Sequence, residues 1–328
     1  MVESRRDTTA IHGGVRLALR KQASSPTFLL FVTLVVLLGV MGAAKSTFLT
    51  TSNLTSTAAL SSTTFIAAAG FTIAASAGVF DLSVGGTMML SGVTFGTLFQ
   101  AGVPLPLAAM GGVLLGAGIG TVNTFLVTKL RINSIIATLG VLFIVRGIGL
   151  EVGGRRSTQV VSDAFRFARR DLLGLPVPVW GSIVVVIVTH YFLAYTPIGQ
   201  RLRAVGGNPD GAREVALNVD RYRTMALVVS AGLAGLGGIV LASIIGAIDP
   251  QGAIGREIVI ATAAFLGGAS LTGGRGSVIG TLMAVFLLAS LFNGLVQLAL
   301  RPEWIDIASG TILVVAVAIN QRPSGGFR

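Results

Sequence analysis

The 328-residue chain has no cysteine, which excludes a disulfide framework, a thiolate nucleophile and a cysteine-bound metal. It has two histidines, His12 and His190, too few for a zinc site of the usual donor set. Lys21, Lys45 and Lys129 are its lysines, and none follows a glycine. A P-loop needs Gly-Lys to cradle phosphates, so the chain is not itself a P-loop ATPase. Charged residues make up 11%, against about a quarter in a soluble domain. A soluble fold of this size needs a charged skin, and the material for one is missing. What the chain has instead is 52% apolar residues and a mean hydropathy of +0.83. It reads as an integral membrane protein. The net charge of +11 does not point to nucleic acid. The positive residues lie scattered in short loops between apolar runs, as the positive-inside rule expects.

A bilayer core about 30 Å thick needs about 20 apolar residues per crossing helix. Residues 26–44 meet this and follow a basic arm with Arg5, Arg6, Arg16, Arg20 and Lys21, which places the arm in the cytoplasm. From Ser46 to Thr128 the one charged residue is Asp81. Lys45 outside and Lys129 and Arg131 inside require an odd number of crossings, and three fit the length: 53–76, 82–100 and 104–128. Further spans are expected at 133–152, 178–196, 224–246, 257–271, 276–299 and 304–320. The expected fold is an all-α polytopic membrane protein of about ten helices (eight to ten). Segments rich in Gly, Ser and Thr are broken or re-entrant, and both termini are cytoplasmic. The organisation is an arm at 1–25, a membrane domain at 26–322 with a cytoplasmic loop at 197–223, and a tail at 323–328. Parity places the basic loop 153–177 outside, against the charge rule. Glycine, 44 residues, is at roughly twice its average usage. Gly232, Gly235 and Gly238 fit close helix packing.

Asp81 stands in an apolar stretch beside Ser83, Gly85 and Gly86. A carboxylate there must meet a partner, a cavity or a helix end. The expectation is that it caps a half-helix starting near Leu82. A second stretch of small residues, 267–276, resembles it and marks another break. Such breaks line polar pathways. Arg146, inside a span, is expected to pair with Asp81 or Glu151 or to snorkel outward. Asn123, Asn133 and Asn293 lie at or near span ends, where interhelical hydrogen bonds are the ordinary use. In the cytoplasmic loop, Asn208, Pro209 and Asp210 read as N-cap, first helical residue and dipole-matched acid. Asn218 would close the other end in the left-handed conformation. A helix of about nine residues is marginal alone, so something must hold it.

Several motifs stand in a recognisable order. They are Phe80-Asp81-Leu82-Ser83-Val84-Gly85, Ala137-Thr138-Leu139-Gly140, Arg146-Gly147, Ala204-Val205-Gly206-Gly207-Asn208 and the run from Gly267 to Gly276. From about Phe48 to Asn320 the chain resembles the ribose-type permease subunits of bacterial ABC sugar importers. Phe80, Pro209, Gly211 and Ala216 depart from the usual pattern. The resemblance implies a multi-pass protein of the bacterial cytoplasmic membrane with no catalytic residue, metal or cofactor. It implies cytoplasmic ATPase subunits, an extracytoplasmic sugar-binding protein and a second permease copy, identical or closely related, in membrane lipid. Gly207, Asn208, Pro209, Asp210, Ala212, Arg213 and Glu214 would form the ATPase-coupling element. The translocation pathway would draw on Asp81, Ser83, Gly85, Gly86, Asn123, Thr138, Gly267, Gly268, Ser270 and Asn293. Arg155, Arg156, Arg166, Arg169 and Arg170 would meet the binding protein. The alternatives are a secondary transporter of a small polar solute, a branched-chain amino-acid ABC permease and an intramembrane enzyme. A secondary transporter needs buried carboxylates as a relay, and an intramembrane enzyme needs a nucleophile–base pair or metal ligands; neither set is evident.

Overall fold

The structure, a computed structural model, describes residues 26–320 with residues 155 and 302 excepted. The arm at 1–25, the tail and Arg155 lie outside the described residues. The helices are α1 (Pro26–Ala44), α2 (Thr51–Ser76), α3 (Val84–Gln100), α4 (Leu105–Thr124), α5 (Ser134–Gly153) and α6 (Val177–Tyr195). They continue with α7 (Pro197–Gly207), α8 (Pro209–Glu214), α9 (Val219–Ile245), α10 (Arg256–Leu266), α11 (Val278–Gln297) and α12 (Glu303–Asn320). A single π turn, Phe125–Lys129, prolongs α4. Among the described residues seven helices are long and apolar enough to cross a membrane: α1, α2, α4 with its π turn, α5, α6, α9 and α11.

The helix ends follow local chemistry. Thr50, Asn133, Thr196, Asn218 and Ser277 each accept a backbone N–H at the start of α2, α5, α7, α9 and α11. Gly154 and Gly246 close α5 and α9 in the left-handed conformation. The expected span 257–271 is corrected. Its helix has 11 residues, about 16 Å at 1.5 Å per residue, and covers only half a bilayer core. Gly267 and Gly268 (φ 104°) end it where an apolar run alone suggested continuation. The expected span 82–100 forms α3, of 17 residues.

α9 is the packing centre, with its widest contacts to α4, α2 and α3. Small residues make this possible. A Cβ at Gly116 of α4 would lie 2.6 Å from the Ala231 carbonyl oxygen, and one at Gly238 would meet the Met88 carbonyl. Gly235 packs against Ser91 and Gly112, whereas Gly232 faces open space. Of the three glycines expected at an interface, Gly232 is therefore not one. Large apolar side chains such as Leu29, Ile136, Phe143 and Val184 are exposed on the outer helices, as a lipid-facing belt requires.

One end of the bundle carries α7, α8 and the loop 267–277. The opposite end carries the α1–α2 turn and the loop 154–176. That loop pairs β1 (Thr158–Gln159) with β4 (Ala247–Ile248), antiparallel, Thr158 opposite Ile248. A second pair, β2 (Asp171–Leu172) with β3 (Leu175–Pro176), leads into α6. Phe165 pins the loop by stacking on Phe95, ring centroids 4.9 Å apart.

Gly238→Ala should destabilise the detergent-solubilised chain by about 1–3 kcal/mol, since backbone has to move. Gly232→Ala should leave stability unchanged or slightly raised, because Ala is the better helix former by about 1 kcal/mol. Thermal unfolding of the two variants side by side checks this. Equal losses would show that the close approach of α9 and α3 does not matter.

Candidate functional site

The link between α2 and α3 is irregular backbone inside the bundle, so side chains must satisfy it. Asp81 is fully buried. Its Oδ1 accepts the Ser83 backbone N–H at 3.1 Å, the Ser83 hydroxyl at 2.5 Å and the Asn123 amide at 3.2 Å. Asn123, on α4, also donates to Ser83 Oγ at 2.8 Å. Thr138, on α5, accepts the Leu82 N–H at 3.0 Å, and Ser134 accepts that of Phe80 at 3.2 Å. Asp81, Ser83, Asn123 and Thr138 thus form one cluster. α3 begins at Val84, two residues after Leu82 as expected, and Asp81 holds the turn leading into it through the Ser83 N–H without capping its first turn.

Gly85 and Gly86 continue from that turn. Gly85 has no room for a Cβ because the Glu257 carboxylate lies on it, and Gly86 packs on Val145 and Leu142. Glu257, in the first turn of α10, takes Arg146 NH2 on Oε1 at 2.6 Å. Arg146 is therefore paired with neither Asp81 nor Glu151.

The rest of the expected pathway set lies elsewhere. Gly267 packs on the backbone of Gly280 and Thr281, and Ser270 bonds Thr272 across a tight turn, 2.8 Å between hydroxyl oxygens. This loop meets the segment before α8: Gly273 lies against Gly206 and Gly78, and Gly274 against Gly207. The Gly274 N–H donates to the Ser76 carbonyl at 3.2 Å. Gly273 and Gly274 thus make the joint with the segment before α8, while Gly267, Gly268 and Ser270 shape the loop behind it and stand apart from the Asp81 cluster. Asn293 is near the opposite end of α11, donating to Asn53 Oδ1 at 3.1 Å and accepting from Gln297 at 2.8 Å.

In the segment expected to couple to an ATPase, Asn208 caps α8, accepting the Gly211 N–H at 2.9 Å, with Pro209 first in the helix. Arg213 pairs with Asp210 at 2.6 Å, and Ala212 is buried with Val205 and Val219. The helix has six residues, fewer than expected. Ala216 (φ 58°) takes the left-handed position after it, and Asn218 instead caps α9 through the Arg221 N–H at 3.0 Å. Glu214 and Val215 are exposed.

The basic loop divides. Arg156 and Arg170 are exposed. Arg169, also exposed, folds back and donates to the Ile244 and Ile245 carbonyls, both at 2.6 Å, closing the C-terminus of α9. Arg166 is half-buried against Gly246.

Residues 53–317 match the family described as branched-chain amino acid transport system / permease component. The chain belongs to this permease family. It is 32% identical to the autoinducer 2 import system permease protein LsrC of Salmonella typhi over 89% of this chain and 84% of the relative. It is 31% identical to the D-allose transport system permease protein AlsC of Escherichia coli K12, over 90% of each. The ribose import permease protein RbsC of the same organism is 29% identical over 89% of this chain and 92% of that one. No solved structure matches the permease.

Sequence reasoning passed over a cavity of about 890 Å³ between α2, α10, α11 and α12. Its polar wall comprises Thr57, Ser61, Thr64, Arg256, Asn293 and Ser309. A signal was there: Asn53, Thr57, Ser61 and Thr64 recur at three- and four-residue steps, one face of α2.

Asp81→Asn keeps an acceptor oxygen and should give a folded permease in near wild-type yield. Asp81→Leu strands the Ser83 and Asn123 donors, at about 1–3 kcal/mol for each buried group left unpaired, and should lower that yield sharply. Size-exclusion profiles of the two variants decide. A Leu variant as monodisperse as wild type would remove Asp81 from the role of holding this turn.

Proposed function

We propose that the permease is the membrane subunit of an ATP-driven importer for a sugar or sugar-like solute in the bacterial cytoplasmic membrane. The observation that carries the reading is α8, a capped six-residue helix with exposed Glu214 and Val215, seated on a joint of glycines. Such a helix has too few internal hydrogen bonds to persist by propensity. Ala212 anchors it inward, and its outer surface is left for a partner. A cytoplasmic ATPase subunit bound there would act on Gly206 and Gly207, which touch Gly273, Gly274 and Gly78 without intervening side chains. Those contacts lead to the C-terminal end of α10 and to the turn that holds Asp81. A displacement of α8 would pass along backbone into the bundle, with no catalytic group in the permease itself.

On this reading the α8 end is cytoplasmic, eight to ten passes connect the elements with α10 as a half-length one, and the loop 154–176 faces outward. Arg156 and Arg170 are then free to meet an extracytoplasmic binding protein, where opposite charge steers docking. The relatives' names give autoinducer 2, D-allose and ribose as solutes. They support a small polyhydroxylated solute and do not single one out. A second copy of the permease completes the importer. The secondary-transporter reading is disfavoured because both buried acids have a structural use, Glu257 Oε1 pairing with Arg146 and Asp81 Oδ1 taking three donors, while Asp81 Oδ2 and Glu257 Oε2 have no hydrogen-bond partner among the described residues.

The purified permease should bring an ATPase subunit with it. Glu214→Arg and Val215→Asp should each lower solute-stimulated ATP hydrolysis of that complex about tenfold, equivalent to about 1.4 kcal/mol of coupling, while the chain stays inserted. Wild-type hydrolysis in both variants would rule out α8 as the coupling element. Accumulation of radiolabelled sugar by the permease alone along a proton or sodium gradient would overturn the importer reading.

A further inference from the structure

The cavity between α2, α10, α11 and α12 contains a cation, Arg256, that has no counter-charge among the described residues. Arg256, the first residue of α10, donates through Nε to the Gly252 carbonyl at 3.2 Å and through NH1 to Thr64 at 2.9 Å and Thr63 at 3.4 Å. Among the described residues no carboxylate lies within ion-pair distance of it. The neighbouring acid, Glu257, is committed to Arg146 on the far side. On the same α2 wall, Thr57 is 95% buried and its hydroxyl has no hydrogen-bond partner among the described residues. Unpaired polar groups at such depth are costly unless water or a ligand meets them. The remaining wall is mostly apolar, with Phe292 and Val259 among it. Apolar walls with a few placed polar groups are the usual make-up of a small-molecule site. A separate polar recess of about 400 Å³, lined by Lys45, Thr47, Ser52, Asn53, Ser56 and Gln297, lies at the end opposite α8. Asn293 of the cavity wall donates to Asn53 of the recess at 3.1 Å, so the two linings touch.

We propose that this cavity is a binding site for a small polyhydroxylated solute, entered past Asn53 and Asn293, with Arg256 donating to the solute's oxygens and Thr57 completing its hydrogen bonds. The proposal deepens the sugar-importer reading and rests on it. Sugar oxygens accept from guanidinium, sugar hydroxyls donate to Thr57 Oγ1, and the apolar C–H face of a sugar ring suits Phe292. An anionic lipid headgroup offers the same acceptors, and the test separates the two.

The chain has no cysteine, so single thiols report without background. Thr57→Cys and, on the facing helix, Ser309→Cys are made in the full chain in membrane vesicles. Each is reacted with an anionic and with a cationic methanethiosulfonate. The expected result is reaction at both positions, with the anionic reagent favoured roughly three- to tenfold by the fixed charge. Arg256→Gln should abolish that preference and Arg256→Lys should keep it. D-ribose, D-allose and L-arabinose are then added one at a time, with L-leucine as control. At least one sugar should slow labelling severalfold, and leucine should not. Failure of both thiols to react means a cavity closed by lipid or by a second copy, and overturns the proposal. So does a charge preference indifferent to Arg256→Gln, or labelling that none of the three sugars slows. The ATPase coupling readout is independent of these reactions, so a dry or unselective cavity would leave the importer reading standing.

Discussion

A helix that starts inside a membrane bundle must satisfy its first N–H groups and its charges without bulk water. α10 is such a helix, and its first two residues are Arg256 and Glu257. The bond from Arg146 to Glu257, 2.6 Å, holds that start in place. Gly85 lets the carboxylate sit against α3 by offering no side chain. The pair also sets the direction of its neighbour. Successive helical residues point about 100° apart, so with Glu257 turned to α5, Arg256 is directed to the cavity beside α2. Removing one partner of a buried pair strands the other charge, at about 3–5 kcal/mol. One ion pair thus positions a half-helix, a cavity wall and the Arg256 cation beside it.

The bundle divides by backbone regularity. α3, α4 and α9 are locked by small residues whose backbones touch, and such contacts resist sliding. The irregular segments lie around them: the turn at 77–83, the loop 267–277 and the segment 206–208. They meet through glycines, so each is in register with the others by backbone contact. A membrane protein tolerates irregular backbone only where side chains or other backbone satisfy it. Asp81, Asn123 and Thr138 do this at the turn, and Ser76 and Gly274 do it at the joint. This division suits a machine that moves one end against a fixed frame.

Some of this was legible from residues alone. The spans at α1, α4, α5, α6, α9 and α11 follow from unbroken apolar runs, because lipid imposes the same demand on every exposed position. The start of α8 at Asn208 and Pro209 was equally plain, since a cap is a bond to a residue three positions away. The end of α8 was not, because Ala216 adopts a conformation that asparagine would have signalled more clearly. The run 257–271 was misjudged as a full span. Its apolar pattern is genuine, but Gly267 stops the helix to pack on Gly280 and Thr281. Arg166 and Arg169 read as surface charge, yet Arg169 closes a helix 75 residues away.

Composition, hydropathy and local caps were enough to indicate a polytopic helical membrane protein with a short capped helix after Asn208. These depend on each residue's preference for lipid or water and on bonds within one turn. The partners of its polar residues depended on packing. Arg146 meets Glu257 across 111 positions, Asp81 meets Asn123 across 42, and Asn53 meets Asn293 across 240. A buried polar group needs some partner, and the chain offers each of them many. Which one it finds is settled by the helices that glycine allows to approach, and that choice exists only once the bundle is assembled.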